Sequence, residues 1–358
     1  MYKKHLKNLN RTRAVVHSDR NDGLYLDRNE RVENYSKDVI SELLKSISNI
    51  HLNKYPELLP FYEKLSNWRN IPKEQIYITE GVSGAIKSLM ETITSPGDNI
   101  VCPYPTFALY SVYSKMFQLE HRDVSYTDDY QIDKDLLLKK IDENTAIVFL
   151  PNPNIPISGT LDLEELRVIA CQCQKTNTFL VIDEVYYPFG GPTAISLISD
   201  FNNIFVIQSF SKAFGLAGIR LGYLLGSAEN IDYVSKTRTG YETNSISIGI
   251  ASFFIDNYHL VENYILQVKE GFEYLKNELD KNGLKYEGGN EGNFIYVDLG
   301  STDLSLQIVS KLHDRKIYIR GGWGGEFSKG VLITGAPKDT LIKFFTEFIQ
   351  IYNDLINK

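Results

Sequence analysis

The chain has 358 residues, 43% of them apolar, which is ordinary for a globular protein with room for one large and one small core. Its 38 Lys and Arg face 45 Asp and Glu, and a net charge of −7 disfavours a nucleic-acid partner. No apolar run approaches a membrane span, and the basic start Met1-Tyr2-Lys3-Lys4-His5-Leu6-Lys7 lacks the apolar stretch of a signal peptide, so a cytoplasmic protein off the membrane is expected. The cysteines, Cys102, Cys171 and Cys173, are few and odd in number, which suits a reducing compartment. Cys171-Gln172-Cys173 has no second Cys/His pair at metal spacing, so no metal is expected.

Short uncharged runs alternate with helix-like stretches from about residue 75 to 225. The runs are Tyr77-Ile78-Thr79, Asn99-Ile100-Val101, Ala146 to Leu150, Thr178 to Ile182 and Ile204 to Ile207. Such strands are typically buried on both faces, and with helices such as Ser83 to Ile93 and Leu163 to Lys175 between them they predict an α/β fold with a mainly parallel sheet. From about residue 230 the pattern changes. One long helix is predicted from Ile248 to Asn282, ended by Gly283, then a strand at Phe294 to Val297, a helix near Leu304 to Asp314, a strand at Lys316 to Arg320 and a last helix from Asp339. The reading is an N-terminal arm (1–25), a large ligand-binding domain (26–230) and a smaller α+β domain (231–358), without repeats.

The residues that carry chemistry stand just after strand ends, where open α/β sheets bind ligands. Lys212 lies in Ser209-Phe210-Ser211-Lys212-Ala213-Phe214-Gly215, past the run Ile204 to Ile207. An amine at the mouth of a buried strand loses hydration and part of its charge, and a neutral amine forms a Schiff base with a carbonyl. Ser209, Ser211 and Arg220 suit a dianionic phosphate. Together these describe a pocket for pyridoxal 5′-phosphate. Asp183 ends the run Leu180-Val181-Ile182, where a carboxylate can keep a pyridinium nitrogen protonated and make the ring an electron sink. Thr79-Glu80-Gly81-Val82-Ser83-Gly84 follows a strand and enters a helix, with Ser83 as the expected cap; free N–H groups there bind phosphate. Phe107, in Pro103-Tyr104-Pro105-Thr106-Phe107, is placed to stack on a flat ring.

With these motifs in order along nearly the whole chain, the sequence resembles the fold-type I pyridoxal-phosphate enzymes of the class I/II aminotransferase superfamily, and most of all the histidinol-phosphate aminotransferase branch. The resemblance implies further roles. Leu26-Asp27-Arg28-Asn29-Glu30 is similar to the N-terminal Asn-Glu element, which puts Asn29 near the substrate. Lys54-Tyr55-Pro56 is similar to an Arg-Tyr-Pro element, so Tyr55 would reach a neighbouring copy's phosphate and the active unit would be a homodimer with shared sites. Gly81, Val82 and Ser83 look like the phosphate loop, and Tyr186 like a ligand of the ring's 3′-oxygen. Tyr241 to Ser245 resembles a substrate-side stretch, with Asn244 as its contact. Arg320 resembles an arginine that meets a phosphate or distal carboxylate.

Two departures stand out. Where the family reads Pro-Asn-Asn-Pro-Thr-Gly this chain has Pro153-Asn154-Ile155-Pro156-Ile157-Ser158, so Ile155 replaces the asparagine expected on the 3′-oxygen, and Asn154, Asn152 or Tyr186 alone would take over. The arginine that grips a substrate α-carboxylate is missing from Gly330-Val331-Leu332-Ile333-Thr334-Gly335, with Val331 aligned to its place. The expected activity is an aminotransferase acting on a small, phosphorylated amine or ketone, with Lys212, Asp183 and Tyr186 as its catalytic side chains. The alternative is a decarboxylase of a phosphorylated amino acid on the same scaffold. A non-catalytic regulator, the third possibility, fits poorly with an intact Lys212 and an acidic chain.

Overall fold

The computed structural model describes residues 3–9, 20 and 22–357; most of the expected arm at 1–25 falls outside them. Its strands in chain order are β1 (Leu24–Leu26), β2 (Ile76–Thr79), β3 (Asn99–Pro103), β4 (Glu120–Val124), β5 (Thr145–Pro151), β6 (Phe179–Asp183), β7 (Ile204–Ser209), β8 (Gly222–Leu225), β9 (Lys285–Gly288), β10 (Phe294–Asp298), β11 (Ile317–Ile319) and β12 (Gly330–Thr334). Seven of them form one sheet in the order β2-β8-β7-β6-β5-β3-β4, parallel except where β8 runs against β2 and β7. This is the α/β fold with a mainly parallel sheet that the sequence predicts.

The central strands are apolar throughout because both faces are covered. Leu180 and Ile182 pack into one core with Val148, Leu150, Val206 and the helix Leu163–Lys175. Val181, between them, faces the opposite core with Ile147, Phe149, Phe205 and the helices Gly81–Ile93 and Leu109–Phe117. A second, antiparallel sheet, β12-β10-β9, lies later in the chain, and β1 pairs in parallel with β11.

Three expectations change. The long helix predicted over Ile248 to Asn282 is two helices, Ser245–Asp256 and His259–Lys281. Asn257 ends the first: its backbone leaves the helical region and its side-chain amide donates to the Phe253 carbonyl at 2.9 Å. The helix expected to be capped by Ser83 opens earlier, at Gly81. Strand β4 went unread because Glu120-His121-Arg122-Asp123 is polar; it is the sheet's edge, where charge blocks further pairing.

Register then sets the site. Pro151 pairs with Asp183, Asp183 with Ile207, Ser209 with Gly222 and Gly222 with Thr79. The ends of β5, β6 and β7 and the start of the helix at Gly81 therefore share one edge of the sheet.

Candidate active site

A cavity of about 430 Å³ opens at that edge. Asp183 is fully buried in it at the end of β6. Its Oδ2 accepts a hydrogen bond from the Tyr110 hydroxyl at 2.7 Å and its Oδ1 one from the Val185 amide at 3.1 Å. Burial pushes this carboxyl up to about 6, and the two donors only partly pull it back. Lys212 follows β7 and shares the cavity; its Nζ donates to the Arg28 carbonyl at 2.8 Å. Burial lowers this ammonium to about 8; Glu30 opposes the shift, and the positive charges of Arg320 and Arg220 add to it.

The anion-receptive end is built from backbone as much as side chains. The Ser209 hydroxyl donates to that of Ser211 at 2.9 Å, and accepts from the Ser211 amide at 3.1 Å. Arg220 sits in the left-handed region at φ 55°, a conformation costly for a non-glycine residue and one that turns the chain back into β8. Its guanidinium lies over Gly81, where an added Cβ would come within 3.2 Å, so the glycine keeps that corner clear. Val82 and Ser83, in the first turn of the helix Gly81–Ile93, also line the cavity and carry that helix's positive end.

On the opposite wall Tyr186 is held by Asn29, whose Nδ2 donates to the tyrosine oxygen at 2.8 Å. Asn29 is fixed in turn by Thr334 and by Asn293, which donates to its carbonyl at 3.0 Å. Burial pushes the Tyr186 hydroxyl up. Phe107 and Asn154 complete the lining. Of the candidates to replace the missing asparagine at Ile155, Asn154 is in the cavity, with its amide on the Pro105 carbonyl and Tyr126, whereas Asn152 is committed to Leu161.

Three expected residues stand elsewhere. Gly81 borders the cavity through Arg220. Asn244 caps the helix Ser245–Asp256 by accepting from the Ser247 amide at 2.9 Å and faces an adjoining groove instead. Tyr55 is 75% exposed, stacked on Tyr241 with ring centroids 4.3 Å apart, on an outer surface of the chain. One placement is corrected. Val331 points into the main core, away from the cavity. Leu332, one residue on, faces the cluster of Ile155, Tyr186 and Trp323 and exchanges both backbone hydrogen bonds with Arg320. Position 332 is thus the one whose side chain stands beside Arg320, because neighbours in a strand face opposite ways.

Residues 21–327 match the family model described as aminotransferase class I and II. The chain belongs to the class I and II aminotransferases. It is 32% identical over 322 residues to the histidinol-phosphate aminotransferase of Thermoanaerobacter pseudethanolicus, covering 88% of each chain. It is 28% identical to that of Pyrococcus furiosus, covering 91% of this chain and 93% of the relative. Among solved structures it superposes on the histidinol-phosphate aminotransferase of Sinorhizobium meliloti in complex with pyridoxal 5′-phosphate, with TM-score 0.85, 21% identity, and 93% and 92% of the two chains covered. The enzyme from Clostridium acetobutylicum gives 0.82 at 20% identity, over 92% and 99%. The decarboxylase alternative is not favoured by these relatives.

The aminotransferase uses pyridoxal 5′-phosphate, the cofactor of its family, and the cavity's donor set fits that group: a buried carboxylate, a deprotonatable amine, and a serine, arginine and helix-start cradle that glycine leaves open. Two supports escaped the sequence reading. Tyr110 lies three residues after Phe107, a spacing that puts both on one face of the helix start, and this was the available signal. Thr334 had none, since it reaches Asn29 across 305 residues.

The buried carboxyl sets a pH signature in the cofactor-free chain. The Asp183 pKa is raised on folding, so the folded state holds more protons between pH 3.8 and about 6, and stability from this group is lost as pH rises through that window. Asp183→Asn removes the loss. Urea unfolding should show the variant gaining about 2 kcal/mol on the wild type between pH 4 and pH 7; an unchanged difference would mean that the carboxyl is not desolvated.

Proposed function

We propose that the aminotransferase moves an amino group to and from a small phosphorylated amine or ketone of the histidinol-phosphate kind, held by Arg320 at its anionic end. The observation that carries this is the pair Arg320 and Leu332. Beyond Lys212 and Arg220, the described cations on the cavity wall are Arg28, 3.5 Å from Asp27, and Arg320, with its guanidinium 4.0 Å above the Trp323 ring. Arg320 pairs through its backbone with an apolar Leu332, so no second arginine stands beside it for a second anion. A phosphate ester without an α-carboxylate matches one cation beside an apolar wall of Ile155 and Tyr186. The same feature counts against glutamate bound in the family's usual manner as the amino donor.

Pyridoxal phosphate, when bound, supplies the carbonyl that captures the amine and the ring that accepts the electron pair. The protein's groups do the rest. Ser209, Ser211, Arg220 and the Gly81–Ser83 turn bind the phosphate. Asp183 would keep the ring nitrogen protonated, and the Tyr110 hydroxyl, donating to its Oδ2, fixes the rotamer for that. Tyr186, steadied by Asn29, would hold the 3′-oxygen, with Asn154 also in the cavity and Ile155 offering no donor. Lys212 Nζ, with its basicity lowered toward neutral pH, takes and returns a proton at the substrate's α-carbon.

The active unit is a homodimer in the cytoplasm. Leu52, Tyr55, Leu59, Tyr241 and Ile246 are large, exposed apolar groups of the kind a second copy covers, and Tyr55 would complete that copy's phosphate site. The cysteines are free, and among the described residues no helix is long and apolar enough to cross a membrane.

Arg320→Ala should raise KM for the phosphorylated substrate about 10- to 100-fold and leave its dephosphorylated analogue unaffected. Equal loss on both would remove Arg320 from the anion's site. Sedimentation equilibrium should give twice the 40.9 kDa chain mass, and Tyr55→Asp together with Tyr241→Asp should give the single-chain value; a wild-type monomer that turns over normally would contradict the shared site.

A further inference from the structure

At the far edge of the large sheet, away from the cavity, three donor side chains converge. Cys102 on β3 pairs in register with Asp123 on β4, and His121 lies two residues before Asp123 on the same face. Cys102 Sγ is 2.7 Å from His121 Nε2, and His121 Nδ1 is 3.5 Å from Asp123 Oδ1. One donor atom from each of the three lies within 4.8 Å of the others, and the trio runs from fully buried thiol through half-buried imidazole to exposed carboxylate. None of the three takes part in the chemistry at the cavity.

We propose that Cys102, His121 and Asp123 form a binding site for a thiophilic divalent cation of the zinc class. The donor set makes the choice. A sulfur and an imidazole nitrogen with one carboxylate is what zinc-like ions take, with water completing the tetrahedron, while magnesium and calcium require oxygen donors throughout. Access is from the open side of β4, the last strand of the sheet, through the exposed Asp123. The charges that face His121 are Asp123, which favours a cation, and Lys115 from the helix Leu109–Phe117, which opposes it. Binding breaks the Cys102 S–H bond, forms a sulfur–metal bond and releases one proton to solvent, with no change of oxidation state. The donors now packed at 2.7 Å spread by under an ångström to reach ordinary ligand spacing. The ion would staple the edge strand to β3, which runs into the segment that carries Phe107 to the cavity.

The test is a Co(II) titration of the full, pyridoxal-phosphate-loaded chain, followed by the visible d–d absorption of tetrahedral cobalt and chased with Zn(II). The expected result is a saturable one-equivalent signal that zinc displaces, that Cys102→Ser abolishes, that Asp123→Asn weakens about tenfold, and that Cys171→Ser with Cys173→Ser leaves intact. No saturable signal, or one that survives Cys102→Ser or falls with the Cys171/Cys173 pair, would overturn the site. Should Cys102→Ser fail to fold, the exposed Asp123→Asn decides alone: an unchanged cobalt affinity rejects the proposal. Because aminotransferase activity is not the readout, failure here leaves the functional reading untouched.

Discussion

Two opposite charges kept from water at one edge of a sheet are the constraint on which the site depends. Asp183 is held as an acceptor by Tyr110 and the Val185 amide, with burial raising its carboxyl, and Lys212 is desolvated until its ammonium loosens its proton near neutral pH. Neither shift would survive on a surface loop, where water restores ordinary basicity. The doubly covered sheet supplies the dryness, and its parallel register puts the ends of β6 and β7 side by side. Fold and chemistry are therefore one problem: strands buried on both faces are what make a buried carboxylate and amine tolerable where they end.

The second constraint concerns what lies opposite. Ile155 and Tyr186 line the cavity and are backed by Phe294, Trp323 and Leu332 in one apolar cluster, and Arg320 is set against it through a backbone bridge to Leu332. A single guanidinium over an aromatic ring binds one anion well; a dianionic substrate spread over two groups would leave the second against leucine and isoleucine, at the cost of an unpaired, desolvated charge. The proposed preference for a phosphorylated amine rests on that asymmetry.

Much of this was legible in the sequence where the signal is local. Asp183, Ser209, Ser211 and Lys212 stand one to five residues beyond apolar runs, and strand ends are where such sheets place ligands. What failed was whatever depends on register. Val331, aligned in sequence to the missing arginine, faces the main core, while Leu332 beside it faces the Tyr186 cluster, since one residue in a strand reverses the face. Asn244 was read from a motif, yet its side chain is consumed by a helix cap. Asn29, Thr334 and Asn293 meet across some three hundred positions, and Cys102 meets His121 only because β3 and β4 are neighbours. Polar β4 gave no periodicity to read, so that encounter had no trace in the linear pattern.

The central claim is that this chain transfers an amino group, and does so with an amine bearing one phosphate. A single-turnover experiment on the pyridoxal-phosphate-loaded protein tests it most directly. An amino-alcohol phosphate, its dephosphorylated form, glutamate and a phosphorylated amino acid are added one at a time, with amino-group capture by the cofactor and carbon dioxide release recorded together. The account predicts stoichiometric capture from the amino-alcohol phosphate, far slower capture from its dephosphorylated form and from glutamate, and no carbon dioxide from any of them. Carbon dioxide release from a phosphorylated amino acid with the cofactor returned unchanged, or capture from glutamate as fast as from the phosphate ester, would contradict it.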